Sequence, residues 1–215
     1  MAPSSSASQS NPLRTGYLVL YNAISTVAWF NVLLLTVKTC MTAGYPYVYF
    51  DAGEWTRWTQ TAAILEVVHA ALGIVRSPVS TTGMQVASRL LLVWGITYPY
   101  PFVTQAPFYA SMLVAWSITE VIRYSFFTLN VAGYQPGFLT WLRYNTFFVL
   151  YPVGIFSECS LILITSKFLQ GMDRMVLYGI LAVYVPGSYI LYTYMMKQRN
   201  KVLGGGQTAA QKKTQ

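Results

Sequence analysis

Residues 142–166 read LRYNTFFVLYPVGIFSECSLILITS, and only Arg143 and Glu158 among them carry a full charge at neutral pH. The rest is apolar, aromatic or small. A bilayer core of ~30 Å is crossed by about 20 helical residues at ~1.5 Å each, so this stretch is long enough and apolar enough to span. It also carries a carboxylate where none is welcome. Five further apolar stretches accompany it, at about Tyr17 to Val37, Trp58 to Val75, Met84 to Phe102, Phe108 to Leu129 and Met175 to Met196. The composition agrees, with 54% hydrophobic, 16% aromatic and only 9% charged residues in 215, where a soluble domain carries roughly 25% charged. Too few polar side chains exist to cover a water-exposed surface. The expected fold is an all-α membrane protein, a bundle of six transmembrane helices.

The breaks between the stretches are turn chemistry: Gly44-Tyr45-Pro46, Ser77-Pro78, Pro99-Tyr100-Pro101 with Pro107, Gly133 to Gly137, and Gly171 to Asp173. Connections this short make successive helices antiparallel. Six spans put both ends on one side, and the lysine and arginine bias assigns that side to the cytosol. The cytosolic segments then hold ten basic residues, among them Arg14, Arg76, Arg89, Arg123 and Arg143, against Lys38, Arg57, Lys167 and Arg174 opposite. Residues 1–16 read as a polar cytosolic head with no cleavable leader, 17–197 as the transmembrane domain, and 198–215 as a basic tail. The tail ends Lys212-Lys213-Thr214-Gln215, which resembles a dilysine endoplasmic-reticulum retrieval signal. Cys40 and Cys159 are the only cysteines, too few for a disulfide framework or a thiolate metal site.

Asp51, Glu54 and Asp173 fall in expected loops, leaving Glu66, Glu120 and Glu158 inside the membrane. Such a carboxylate costs several kcal/mol unless paired, neutralised or hydrated, so each marks either a functional site or a packing contact. Glu66, His69, Gly73 and Arg76 recur at helical spacing on one face, where His69 serves as a structural partner or a catalyst and Gly73 would admit a neighbouring helix. Glu120 and Arg123 form an i,i+3 pair beside Tyr124, structural or supporting an active site. Tyr144, Tyr151 and Glu158 stand at heptad spacing, with Tyr151 and Glu158 about 10 Å apart along a regular helix. Pro152 and Gly154 should interrupt that regularity and could draw the two together. A phenol of reference pKa ~10 and a carboxyl of ~4.3 make a usable acid/base pair. Residues 69–77, HAALGIVRS, have the outline of a tyrosine-phosphatase loop, but Ala70 stands where the cysteine nucleophile belongs.

Several motifs in order carry a family resemblance: Glu66-Val67-Val68-His69 through Gly73 to Arg76-Ser77-Pro78, then Thr81-Thr82, Gln85-Val86, Ser88-Arg89 and Val93-Trp94. Glu120 to Tyr124, Trp141 to Tyr144 and Leu150 to Glu158 continue the series. Together they resemble the very-long-chain 3-hydroxyacyl-CoA dehydratases, also called protein tyrosine phosphatase-like, across about Tyr17 to Lys201. The resemblance implies a multi-pass enzyme of the endoplasmic-reticulum membrane that removes water from long-chain 3-hydroxyacyl-CoA, the third step of fatty acid elongation. It places the catalytic pair on Tyr151 and Glu158. It also implies the other elongation enzymes, a condensing enzyme and reductases, as partners, and no nucleic acid.

Dehydration needs one base for the proton alpha to the thioester and one acid for the departing hydroxyl, and that balance requires no cofactor or metal. Glu158 is the expected base and Tyr151 the acid, with the reverse open. Arg143, Arg76 and Arg89 could hold the CoA phosphates, or serve only as positive-inside anchors. The rival from another class is a non-catalytic membrane scaffold or small-solute transporter using the same buried polar residues as helix glue or a permeation path. Internal repeats would favour a transporter, and none is visible.

Overall fold

A computed structural model describes residues 12–204, so the head 1–11 and the Lys212-Lys213 pair lie outside the described residues. Among the described residues the chain is helical throughout, with no strand. It runs α1 (Pro12–Thr42), α2 (Val48–Ala62), α3 (Ile64–Ala71), α4 (Val79–Leu90) continuing as a π-helical segment (Leu91–Thr97), α5 (Pro107–Val131), α6 (Gly137–Asn145), α7 (Phe147–Phe168) and α8 (Gly171–Arg199). Among the described residues three helices are long and apolar enough to cross a membrane: Pro12–Thr42, Phe147–Phe168 and Gly171–Leu203. The other three expected stretches are also helical. One is broken into α2 and α3 at Ala63, one turns from α4 into the π segment, and α5 is continuous over 25 residues but carries Glu120 and Arg123.

The surface of these helices is what water would reject. Along α1, Leu20, Ile24, Val27 and Leu34 are more than half exposed, and along α8 Val183, Val185, Tyr189 and Ile190 are too. Only Leu177 and Tyr184 of α8 are buried. Apolar faces this extensive belong against lipid.

α5 is the axis of the bundle, packed along α1 on one side and α7 on the other, with α2 against α1 and α8 against α7. Trp29 and Val32 of α1, Tyr109, Met112, Leu113 and Trp116 of α5, Leu92 and Ile96 of the π segment, and Leu161 and Ile162 of α7 form the core. Two local readings need correcting. Asp51 and Glu54 stand in α2 rather than in a loop, Asp51 accepting a 2.5 Å hydrogen bond from Thr39, and Asp173 opens α8. Pro152 sits inside α7 without ending it, and the interruption falls earlier, at Thr146. The carbonyl four residues before Pro152 is that of Phe148, inside α7, so the proline does not account for the break at Thr146.

Candidate active site

One cavity of about 560 Å³ opens among α1, α3, the loop after it, and α4 to α8. Nine of the ten residues singled out from the sequence line it: Glu66, His69, Arg76, Arg89, Arg123, Arg143, Tyr144, Tyr151 and Glu158. The tenth, Glu120, lies behind the wall, 1% exposed.

Glu120 anchors a buried ion network that joins three helices. Arg123 donates from Nε to its Oε2 at 2.7 Å, with Nη2 paired to the same oxygen at 2.5 Å, and Arg89 of α4 donates to its Oε1. The far edge of Arg123 then makes a bidentate pair with Glu66 of α3, both distances 2.7 Å, and Tyr124 donates its hydroxyl to the same carboxylate. Two carboxylates and two guanidiniums cancel in formal charge, which is the cheapest way to keep four ions inside an apolar bundle. The sequence supplied the Glu120–Arg123 pair through its i,i+3 spacing, while its links to Glu66 and Arg89 come from other helices. Arg89 and Arg123, counted from the sequence as cytosolic-side charges, are spent in these pairs. Arg76 and Arg143 are not: among the described residues neither forms an ion pair.

The polar face expected to run from Glu66 to Arg76 ends early. α3 stops at Ala71 and Gly73 turns the chain at φ +67°, closed by hydrogen bonds from Gly73 to Ala70 and from Ile74 and Val75 to His69. Only glycine enters this left-handed region cheaply, and a Cβ there would meet nothing within 4 Å. Gly73 is therefore a helix stop, not a close approach between helices. Arg14 donates to the Gly73 and Ile74 carbonyls and holds the stop to α1, so Arg76 reaches the cavity from a loop. His69 is 4% exposed, hydrogen-bonded at 2.7 Å to the Tyr17 hydroxyl and edge-on to Tyr17 and Tyr21. These contacts tie His69 to α1.

The break at Thr146 puts Tyr144 and Arg143 on α6, off the helix that carries Tyr151 and Glu158, yet the joint turns all four to the cavity. Arg143 stacks over Phe126 and Phe127, at 4.8 and 4.4 Å to the ring centres. Its buried Nε has no hydrogen-bond partner.

Tyr151 and Glu158 do not touch. The Tyr151 hydroxyl donates to the Ser188 carbonyl of α8 at 2.9 Å. Glu158, 6% exposed, accepts from Trp116 Nε1 of α5 at 2.8 Å on Oε1 and from the Tyr184 hydroxyl of α8 at 3.0 Å on Oε2. The i−4 position is Gly154, where a Cβ would stand 3.9 Å from Oε1, so the carboxyl lies along an open helix face. Sequence reasoning missed Trp116 and Tyr184. Trp116 stands one helical turn before Glu120 and could have been noticed, whereas nothing local separates Tyr184 from the other sixteen tyrosines. Among the described residues no three His, Cys, Asp or Glu side chains converge as a metal site.

Fold and cavity define a class: an all-helical membrane protein with one chamber lined by a phenol, a carboxyl and two arginines that form no ion pair among the described residues. The family profile described as protein tyrosine phosphatase-like protein, PTPLA, matches residues 60–205. Over 195 residues the chain is 46% identical to the probable very-long-chain (3R)-3-hydroxyacyl-CoA dehydratase of Schizosaccharomyces pombe, across 88% of this chain and 94% of that one. It is 42% identical over 208 residues to the very-long-chain (3R)-3-hydroxyacyl-CoA dehydratase PASTICCINO 2 of Arabidopsis thaliana, covering 89% and 94% of the two. With the very-long-chain (3R)-3-hydroxyacyl-CoA dehydratase 2 of Homo sapiens the identity is 34% over 209 residues, covering 89% and 82%. The chain belongs to the protein tyrosine phosphatase-like family, as the motif resemblance implied. No solved structure matches it.

Proposed function

We propose that this chain is a dehydratase that removes water from long- and very-long-chain (3R)-3-hydroxyacyl-CoA to give the trans-2-enoyl-CoA, the third step of fatty acid elongation, with Tyr151 and Glu158 as its acid/base pair. Family membership supports the reaction. The observation that carries the residue assignment is that one chamber is lined at once by Tyr151, Glu158 and two arginines without carboxylate partners, Arg76 and Arg143.

The hydrogen bonds favour Glu158 as base. An indole N–H can only donate, so Oε1 is an acceptor, and Oε2 accepts from Tyr184. Tyr151 presents an O–H already donating to a carbonyl, and it serves as acid by turning from Ser188 to the substrate hydroxyl. Glu158 takes a proton from C2, the C2–C3 double bond forms, and the C3–O bond breaks as the hydroxyl takes the Tyr151 proton and leaves as water. One proton passed from Glu158 back to Tyr151 resets the site. Seven residues of helix separate the two by about 10 Å of rise, so the substrate lies between them.

The multiply charged CoA head fits the unpaired Arg76 and Arg143. Arg89, grouped with them from the sequence, is occupied by Glu120. Arg143 lines the cavity beside two phenylalanine rings, and its planar guanidinium suits bidentate phosphate contacts. The reading includes six spans with both termini cytosolic, residence in the endoplasmic-reticulum membrane, a head at 1–16, a catalytic domain at 17–197 and a basic tail at 198–215. It also includes association with the elongase condensing enzyme and reductases. The lysine and arginine bias supports the orientation, with Arg14, Arg76 and Arg143 near the cavity and Asp51, Glu54 and Arg57 together in α2.

The test is direct. Purified full-length protein is incubated with a long-chain 3-hydroxyacyl-CoA, and the conjugated enoyl thioester is followed. No enoyl product from folded protein would sink the reading and leave the scaffold or transporter.

A further inference from the structure

We propose that Trp116 and Tyr184 are positioning residues for this reaction, gripping the Glu158 carboxylate from two helices other than its own. The proposal rests on the reading of Glu158 as the base. A glutamate side chain has three torsions, and the last, which sets the plane of the carboxylate, is broad and roughly twofold. Burial alone does not choose that plane. Here Oε1 accepts from α5 at 2.8 Å and Oε2 from α8 at 3.0 Å, while the backbone belongs to α7. Three helices therefore determine where the basic oxygens stand.

Each grip is itself held. Trp116 is 2% exposed, edge-on to Trp29 at 6.5 Å, with the Arg89 guanidinium 5.0 Å from its ring centre. Arg89 is fixed in turn by Glu120, so the ion network reaches Glu158 through one indole ring. Tyr184 makes the stronger argument. α8 buries only Leu177 and Tyr184, and the residues flanking the latter, Val183 and Val185, are 65% and 72% exposed. Phenylalanine would pack this inward position equally well. The hydroxyl is what tyrosine adds, and it donates to Glu158, with Ser88 also beside it.

A misplacement of about 1 Å at a reacting group can cost on the order of 100-fold in rate. The experiment compares full-length Trp116→Phe, Tyr184→Phe and Glu158→Gln proteins, reading kcat, KM and the isotope effect for a long-chain 3-hydroxyacyl-CoA deuterated at C2. Trp116→Phe and Tyr184→Phe are each expected to lower kcat by roughly 10- to 100-fold with KM held within about twofold, because the contacts serve the reacting state rather than substrate binding. The C2 isotope effect should rise as proton removal becomes slower, and neither change should add to the loss in Glu158→Gln. A kcat within about twofold of the parent overturns the proposal, as does a lower kcat fully accounted for by a smaller folded fraction in the same sample. Trp116 also packs on Trp29, so if Trp116→Phe fails to accumulate, Tyr184→Phe, which loses one oxygen, decides. Full activity in Glu158→Gln would refute the base assignment itself. An inactive Glu158→Gln beside parent-like Trp116→Phe and Tyr184→Phe would refute the positioning role alone.

Discussion

Replacing Glu120 with glutamine removes one charge from the centre of the bundle without changing its shape. Glu120 is 1% exposed and takes donors from two guanidiniums, including Arg123 at 2.7 and 2.5 Å. The amide leaves Arg89 with no paired carboxylate among the described residues and Arg123 with Glu66. Breaking one partner out of a buried pair costs about 3–5 kcal/mol, because the remaining charge is stranded in a low dielectric. For a chain of this length about 2–4 °C of midpoint accompanies each kcal/mol, which predicts a fall of roughly 6–20 °C for Glu120→Gln. Thermal unfolding of the purified protein in one detergent measures it. The matched control is Glu54→Gln. Its pair with Arg57 spans 3.9 Å with the glutamate side chain 77% exposed, so its contribution is at most about 1 kcal/mol. A Glu120→Gln protein melting within about 2 °C of the parent, or no lower than Glu54→Gln, would refute the reasoning that the network is a closed set of mutually dependent charges.

Tyr151→Phe and Glu158→Gln should each abolish turnover while the melting temperature stays near the parent's; retained activity in either removes that residue from the mechanism. Arg76→Ala and Arg143→Ala should raise KM for acyl-CoA more than they lower kcat, with the difference shrinking as salt is added, and an unmoved KM at low salt would return them to simple anchoring. Gly73→Ala places a Cβ where φ is +67° with no neighbour to clash, so backbone strain alone should cost about 1–2 kcal/mol. Circular dichroism melts check this, and an unchanged midpoint would contradict a left-handed helix stop. Arg14→Ala should loosen that stop from α1 and speed amide exchange at residues 72–76, with unaltered exchange counting against the tether.

The six apolar stretches and the turn residues between them made an all-helical membrane protein readable from the chain alone. So did the three carboxylates within those stretches, the Glu120–Arg123 pair and the family motifs around Tyr151 and Glu158. These are local or compositional properties, set by what each segment costs in water or lipid and by which residues share a helical face. The tertiary structure decided which charges meet. Arg123 finds Glu66 across 57 positions and Trp116 finds Glu158 across 42, through packing that no spacing encodes. It moved the helix break from Pro152 to Thr146, turned Gly73 from a packing contact into a helix stop, and took Arg89 and Arg123 out of the orienting charge count. A buried ion takes whichever opposite charge the fold brings within reach, and in this bundle that partner usually sits on another helix.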